Sequence, residues 1–145
     1  MRISLSRFAV LLSFVLCLCS CQQYRVCCIC ARFGVNLRGI PFKVVEKTEH
    51  WCPNGDGDLF VRVSFPSAQE DELNHISSQM RISGALEMPM LTQHKKLMSG
   101  KGANYVKCLD TGLYLIDIDE SDSRNYSLII YNEAKKELAI HIAVF

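Results

Sequence analysis

The stretch Leu59–Phe65 reads LFVRVSF, and its alternation constrains the fold more than any other feature of the chain. Leu59, Val61, Val63 and Phe65 fall on one side, and Phe60, Arg62 and Ser64 on the other. A repeat of two belongs to an extended strand, so the run predicts a strand with one well-buried side. One strand cannot cover that side, and an isolated hairpin is barely stable in water, so more strands and a covering layer are required.

The rest of the chain offers both. In GIPFKVVEKTEHW, Pro41 precedes a β-branched run, which predicts a strand over 42–47. CPNGDGD then supplies dense turn chemistry, because glycine reaches positive φ and Asn and Asp bond their own backbone. A hairpin with a long loop follows. Toward the C-terminus, NYVKCLD and GLYLIDI flank Thr111-Gly112, while NYSLIIY and ELAIHIAVF flank NEAKK. The second pair reads as a hairpin of two core strands, with Ile130 and Ile140 inside.

One helix is expected, over 67–82. Ser67 and Glu70 have capping-box spacing, each side chain satisfying an orphan backbone donor of the other's segment. Glu70, Asp71 and Glu72 suit the positive end of the dipole. Leu73, Ile76 and Met80 form a single apolar stripe, the mark of a helix that covers a sheet rather than fills a bundle. Residues 84–103 read as a mobile surface loop with Pro89 and a basic patch of Lys95, Lys96 and Lys101. Its alternative is an adaptable binding surface lined by Met88, Met90, Leu91, Leu97 and Met98. SGKG is no phosphate loop, since Lys95 stands where the motif needs its first glycine. The fold class is therefore α+β: a mainly antiparallel sheet of about 5–6 strands with one covering helix.

The first residues follow other rules. MRISLSR carries Arg2 and Arg7 and no acid, and the uncharged run FAVLLSFVLCL follows. That is the layout of a secretory signal peptide, too short to cross a bilayer. Six of the eight cysteines lie between residues 17 and 30. Among them, Leu18-Cys19-Ser20-Cys21 resembles the lipobox of bacterial lipoproteins. The resemblance covers about the first 21 residues and implies that Cys21 is lipidated on sulfur, with cleavage before it and acylation of the new amine. It implies an anchor and no activity. Two alternatives stand beside it: an ordinary secretory cut near Cys21, and an uncleaved signal anchor over residues 8–31. The anchor would place Arg25 inside the bilayer at a cost of ~2.5–3.5 kcal/mol.

This organises the chain as a signal peptide (1–20), a lipid-anchored basic tether (21–40) without a role in the core, and a small α+β domain (41–145). From Gln22 to Val45 the charges are Arg25, Arg32, Arg38 and Lys43, with no acid. Beside an anchor they can gain from anionic headgroups; the plainer reading is a tether with chance positives. The whole chain carries a formal net charge of +1, and nothing in it points to nucleic acid.

With Cys21 consumed, Cys27, Cys28, Cys30, Cys52 and Cys108 remain. Cys52 and Cys108 are the disulfide candidates, although spacing cannot prove the pairing. Cys27-x-x-Cys30 has redox spacing without the strand before it that a thioredoxin-like site needs. Zinc binding through Cys27, Cys30, His50 and Cys52 lacks a completing pair. Asn54, Asp56 and Asp58 begin like a calcium loop, but Leu59 and Phe65 stand where its glycine and glutamate belong. Asp117, Asp119, Glu120 and Asp122 form a second acidic loop. The weak metal candidates are thus His50, Cys52, Asp56 and Asp58. Nucleophilic catalysis would pair Cys52 or Cys108 with His50, His75, His94 or His141, and no nucleophile elbow supports it.

Three function classes follow. The first is a lipoprotein of the bacterial cell envelope, on the outer membrane or cell surface, acting non-enzymatically by binding an unknown protein partner. The second is an inhibitor or immunity protein that masks a toxin or enzyme. The third is a small metal-binding protein or enzyme. No cofactor is expected, and plain secretion is the alternative location. The closing pattern resembles small exported bacterial proteins of unknown function, which lend no activity.

Overall fold

A computed structural model describes residues 21–97 and 110–145. Residues 1–20, where a signal peptide is expected, lie outside the described residues, as do Cys108, SGKG and most of NYVKCLD. In chain order the elements are helix α1 over 21–32, then β1 (Lys43–Trp51), β2 (Gly57–Ser64), α2 (Glu70–Ile82), β3 (Leu86–Glu87), α3 (Thr92–Leu97), β4 (Leu113–Ile118), β5 (Tyr126–Asn132) and β6 (Glu137–Val144). The strands form a six-stranded sheet in the order β1-β2-β6-β5-β4-β3. Every pairing is antiparallel. The α+β class, the antiparallel sheet and the covering helix are as the sequence predicts.

The last strand takes a central place. β6 pairs with β2 on one side and β5 on the other, so Ile140 lies between Val61 and Ile129. Its sequence ELAIHIAV contains neither proline nor glycine, and all of Leu138 to His141 is buried. At the β1–β2 turn, Gly57 is obligatory: a Cβ there would stand 2.0 Å from the His50 carbonyl oxygen.

Two cores flank the sheet. On one face Leu59, Val61, Val63 and Phe65 of the first hairpin meet Ile129, Tyr131, Leu138 and Ile140 beneath Leu73, Ile76 and Met80 of α2. The Tyr131 hydroxyl donates to the Leu73 carbonyl at 3.2 Å and ties helix to sheet. The opposite face is not the exposed one that the alternation of β2 predicts. Phe60 is buried there with Tyr114, Tyr126, Leu128, Ile130 and Ala139, and Met90 packs against them. Met90 thus belongs to the core, and part of the presumed surface loop is β3 and α3.

Helix α2 starts later than the 67–82 span. Phe65 and Ala68 are both buried, and the Ala68 N–H closes a turn onto the Phe65 carbonyl at 3.3 Å. Ser67 is held in that turn, exposed, and cannot cap. The capping box is shifted two residues along: Gln69 is the N-cap, and the Glu72 carboxylate accepts the Gln69 N–H at 2.8 Å.

The largest correction concerns the expected tether. Val26, Ile29 and Cys30, at helical spacing, are buried, and so are Val35, Leu37, Ile40 and Phe42. All join the α2-side core. Helix α1 ends in a Schellman motif: Gly34 takes φ +74°, its N–H donates to the Ala31 carbonyl, and the Val35 N–H donates to the Cys30 carbonyl, both at 3.0 Å. The buried pair Cys30 and Val35 makes the hydrophobic contact that accompanies this cap. The Asn36 N–H then donates to the Gln79 side chain of α2. Residues 21–42 are part of the folded unit because they bury apolar side chains that their composition supplies, and the domain boundary at residue 41 does not hold.

Helix α1 crosses the strands rather than running along them. Near its start, Gln22, Arg25, Val26 and Ile29 share a small cavity with Val44, Lys47, Leu59 and Val61 of β1 and β2. Just past its end, Phe33 and Gly34 line a groove with Leu115 and Ile116 of β4 and Ser127 of β5. Among the described residues, no helix is long and apolar enough to cross a membrane.

Candidate functional site

The turn end of the first hairpin gathers the titratable groups. On β1 and β2, His50 faces Asp58, and across β2 and β6 Asp58 faces Ala143 while Phe60 faces His141. On β5 Tyr126 faces Ala143. Alternation puts all four polar side chains on the sheet face opposite α1 and α2. Asp58 Oδ1 lies 3.7 Å from His50 Nδ1, and Asp58 Oδ2 lies 3.5 Å from His141 Nε2. His141 Nδ1 is 2.9 Å from the Tyr126 hydroxyl. A row His50–Asp58–His141–Tyr126 therefore crosses four strands.

Its electrostatics set the charge states. Burial pushes the His141 pKa below its ordinary 6.5, against the pull of the Asp58 carboxylate, so the ring is neutral at neutral pH. Burial, and next the Asp58 charge, push the Tyr126 phenol up to about 12. The neutral ring carries one proton, and in the tautomer that holds it on Nε2, toward Asp58, Nδ1 accepts from the phenol. This arrangement can pass a proton or hold a charge, but it contains no nucleophile.

The predicted metal set is not brought together. His50 and Asp58 are neighbours in the row. Cys52 instead lies in the turn, where its N–H donates to the Asp56 carbonyl at 2.7 Å and its own carbonyl accepts from Gly55 at 2.9 Å. β1 ends at Trp51, so Cys52 lies beyond the strand that carries His50. Asp56 Oδ2 accepts from the Asn54 side chain at 2.8 Å. Among the described residues no three His, Cys, Asp or Glu side chains converge on a point fit for a metal ion. The second acidic loop is likewise engaged in its own turn. Asp119 accepts from the Ser121 N–H and hydroxyl at 2.8 and 2.6 Å, and Arg124 holds Asp122 down at about 2 through a 2.6 Å ion pair.

The cysteines of α1 are poorly suited to redox work. Burial raises Cys27, and it pushes Cys30 up to about 12. A reactive thiol needs the reverse shift. Cys21, Cys28 and Cys52 are exposed, and the described cysteines are free. The partner proposed for Cys52, Cys108, lies outside the described residues. On α3, His94 Nδ1 meets the Tyr114 hydroxyl at 3.0 Å, closing that helix over the sheet.

Sequence reasoning named His141 only as a possible base and did not name Tyr126. The register between β2 and β6 brings them to Asp58, and no local motif encodes that register. A second feature missed from sequence is the open edge. β1, nine residues long, has β2 on one side and no other strand among the described residues. Val45 and Trp51 on it are 47% and 43% exposed. Glu49 anchors the strand to α1 by accepting from Arg25 at 2.9 Å, and Lys47, Arg25 and Trp51 together hold its carboxyl down at about 2.

No family model, curated protein or solved structure matches the chain.

Proposed function

We propose that the chain is an exported lipoprotein of a bacterial envelope, anchored through Cys21, which works by binding a protein partner and not by catalysis. The supporting observation is the open edge of β1. An edge of this length presents a row of backbone donors and acceptors to an extended segment of another protein, while exposed Val45 and Trp51 offer side-chain contacts. Lys43 and Lys47 on the same strand discourage indiscriminate strand addition, so a partner must match them.

Two measurements test the reading. A fatty-acid probe should label the chain in a bacterial host, and Cys21→Ser should abolish labelling and leave unprocessed precursor; unchanged labelling removes the lipoprotein assignment. A photo-crosslinking residue at Val45 should give one discrete adduct in the native envelope, and the same residue at Glu133, in the β5–β6 turn, should give none. Equal adducts at both sites would exclude β1 as the binding edge.

A further inference from the structure

The outer side of α1 has no counterpart in the core. Residues 21, 25, 28 and 32 recur at helical spacing on the side turned away from Cys30, with Arg25 at its margin reaching Glu49 of β1 and Arg32 at its far end beside the groove that Asp117 also lines. Cys21, Arg25, Cys28 and Arg32 are all exposed, and Tyr24 beside them is 69% exposed. The segment up to Val45 contains no acid. Arg25 is partly offset by Glu49 at 2.9 Å, whereas Arg32 and Arg38 make no ion pair among the described residues. Arg38, in the loop after α1, belongs to the same patch. The Tyr24 phenol, raised chiefly by its hydrogen bond to Cys28, feels the opposing pull of the Arg38 charge. The acids of the neighbouring helix, Glu70 to Glu72, stand at the far end of α2, roughly 14–16 Å along its axis from Arg81, and Asp117 lines a groove with Arg32 without forming an ion pair with it.

We propose that this face of α1, with Arg38 beside it, lies against an anionic lipid bilayer and fixes the orientation in which the domain is held. The inference rests on the lipoprotein reading for what brings the chain to a membrane. It adds which surface turns toward the lipid. Charge complementarity selects the occupant: unpaired guanidinium groups suit anionic headgroups, each gaining near such a surface. An exposed tyrosine suits the interfacial zone, where its ring is apolar and its hydroxyl stays wet. The position of Cys21 is the second argument, since acyl chains attached there would leave from the same stripe that carries Arg25 and Arg32.

The full chain, processed in cells and purified from membranes, is reconstituted into phosphatidylglycerol-rich vesicles and, separately, into phosphatidylcholine vesicles. A membrane-impermeant maleimide is added, and peptide mass spectrometry reads labelling of Cys28 against Cys52, both exposed in the fold. The expected result is a Cys28-to-Cys52 ratio at least about tenfold lower in the anionic vesicles, recovering in high salt and in the double variant Arg32→Glu, Arg38→Glu. Equal ratios in the two lipids overturn the proposal. The same digest reads acylation of Cys21, which separates the two ideas. An acylated chain with Cys28 equally labelled in both lipids keeps the anchor and loses the docking face. An unacylated chain with Cys28 protected only on anionic vesicles keeps the face and loses the anchor.

Discussion

Asp58 on β2 and His141 on β6 stand 3.5 Å apart, carboxylate oxygen to Nε2, although His141 is opposite Phe60 in register and Asp58 is opposite Ala143. The contact is diagonal, between side chains on one sheet face. It places a titratable ring in an apolar layer, edge-on to Phe60 and Tyr126 at centroid distances of 6.5 and 5.4 Å. A carboxylate on one side and a phenol on the other let the neutral ring sit there.

This arrangement gives the fold an acid-sensitive point. The folded ring holds its proton less tightly than an ordinary histidine of pKa 6.5. Below that pH the unfolded chain binds a proton that the folded chain resists, so stability falls as the pH drops. Urea midpoints measured from about pH 7.5 down to about pH 5 should show a loss that His141→Gln flattens. Asp58→Asn should steepen the loss, because it removes the group that favours the charged ring. A His141→Gln chain with the same slope as the parent would show that the loss arises elsewhere.

The segment before β1 should behave as core. Leu37 is 1% exposed and Arg38 lies on the surface. Leu37→Ala removes packed apolar atoms and leaves a cavity, so denaturant unfolding should report a loss of about 2–5 kcal/mol. Arg38→Ala should stay within about 0.5 kcal/mol of the parent. Comparable midpoints for both variants would return this segment to the role of a tether.

The C-terminal hairpin supplies a two-sided test. Ile130 and Ile140 are both buried, but Ile140 packs in the α2-side core and Ile130 in the opposite one. Each truncation to alanine should cost about 2–5 kcal/mol. In the turn, Glu133→Ala loses only an exposed hydrogen bond from the Ser77 hydroxyl and should shift the melting temperature little. Loss of stability in Ile140→Ala alone would mean that the second face is not a packed core in solution.

Much of this fold is legible in short windows of sequence. The stripe Leu73, Ile76, Met80 and the alternation of Leu59 to Phe65 are local repeats, set by how a helix or strand presents successive side chains. The hairpin around Asn132 to Lys136 is local too, since its strands are joined by a short turn. The cap at Gly34 followed by Val35 was equally readable. It is hidden because the apolar residues of α1 continue the apolar run that begins at Phe8, and one pattern serves two explanations. The candidate site was legible only in part: His50 and Asp58 are cross-strand neighbours in one hairpin, but His141 and Tyr126 reach them through pairings between distant segments.

What the sequence determined by itself was the kind of each element, because propensity and periodicity act over a few residues. Only the tertiary structure decided that β6 enters between β2 and β5, that Phe60 is buried as deeply as Leu59, and that residues 21–42 close the core. Those outcomes depend on apolar surface shared between segments far apart in the chain. Burial is a property of the assembled sheet, and no single segment carries it.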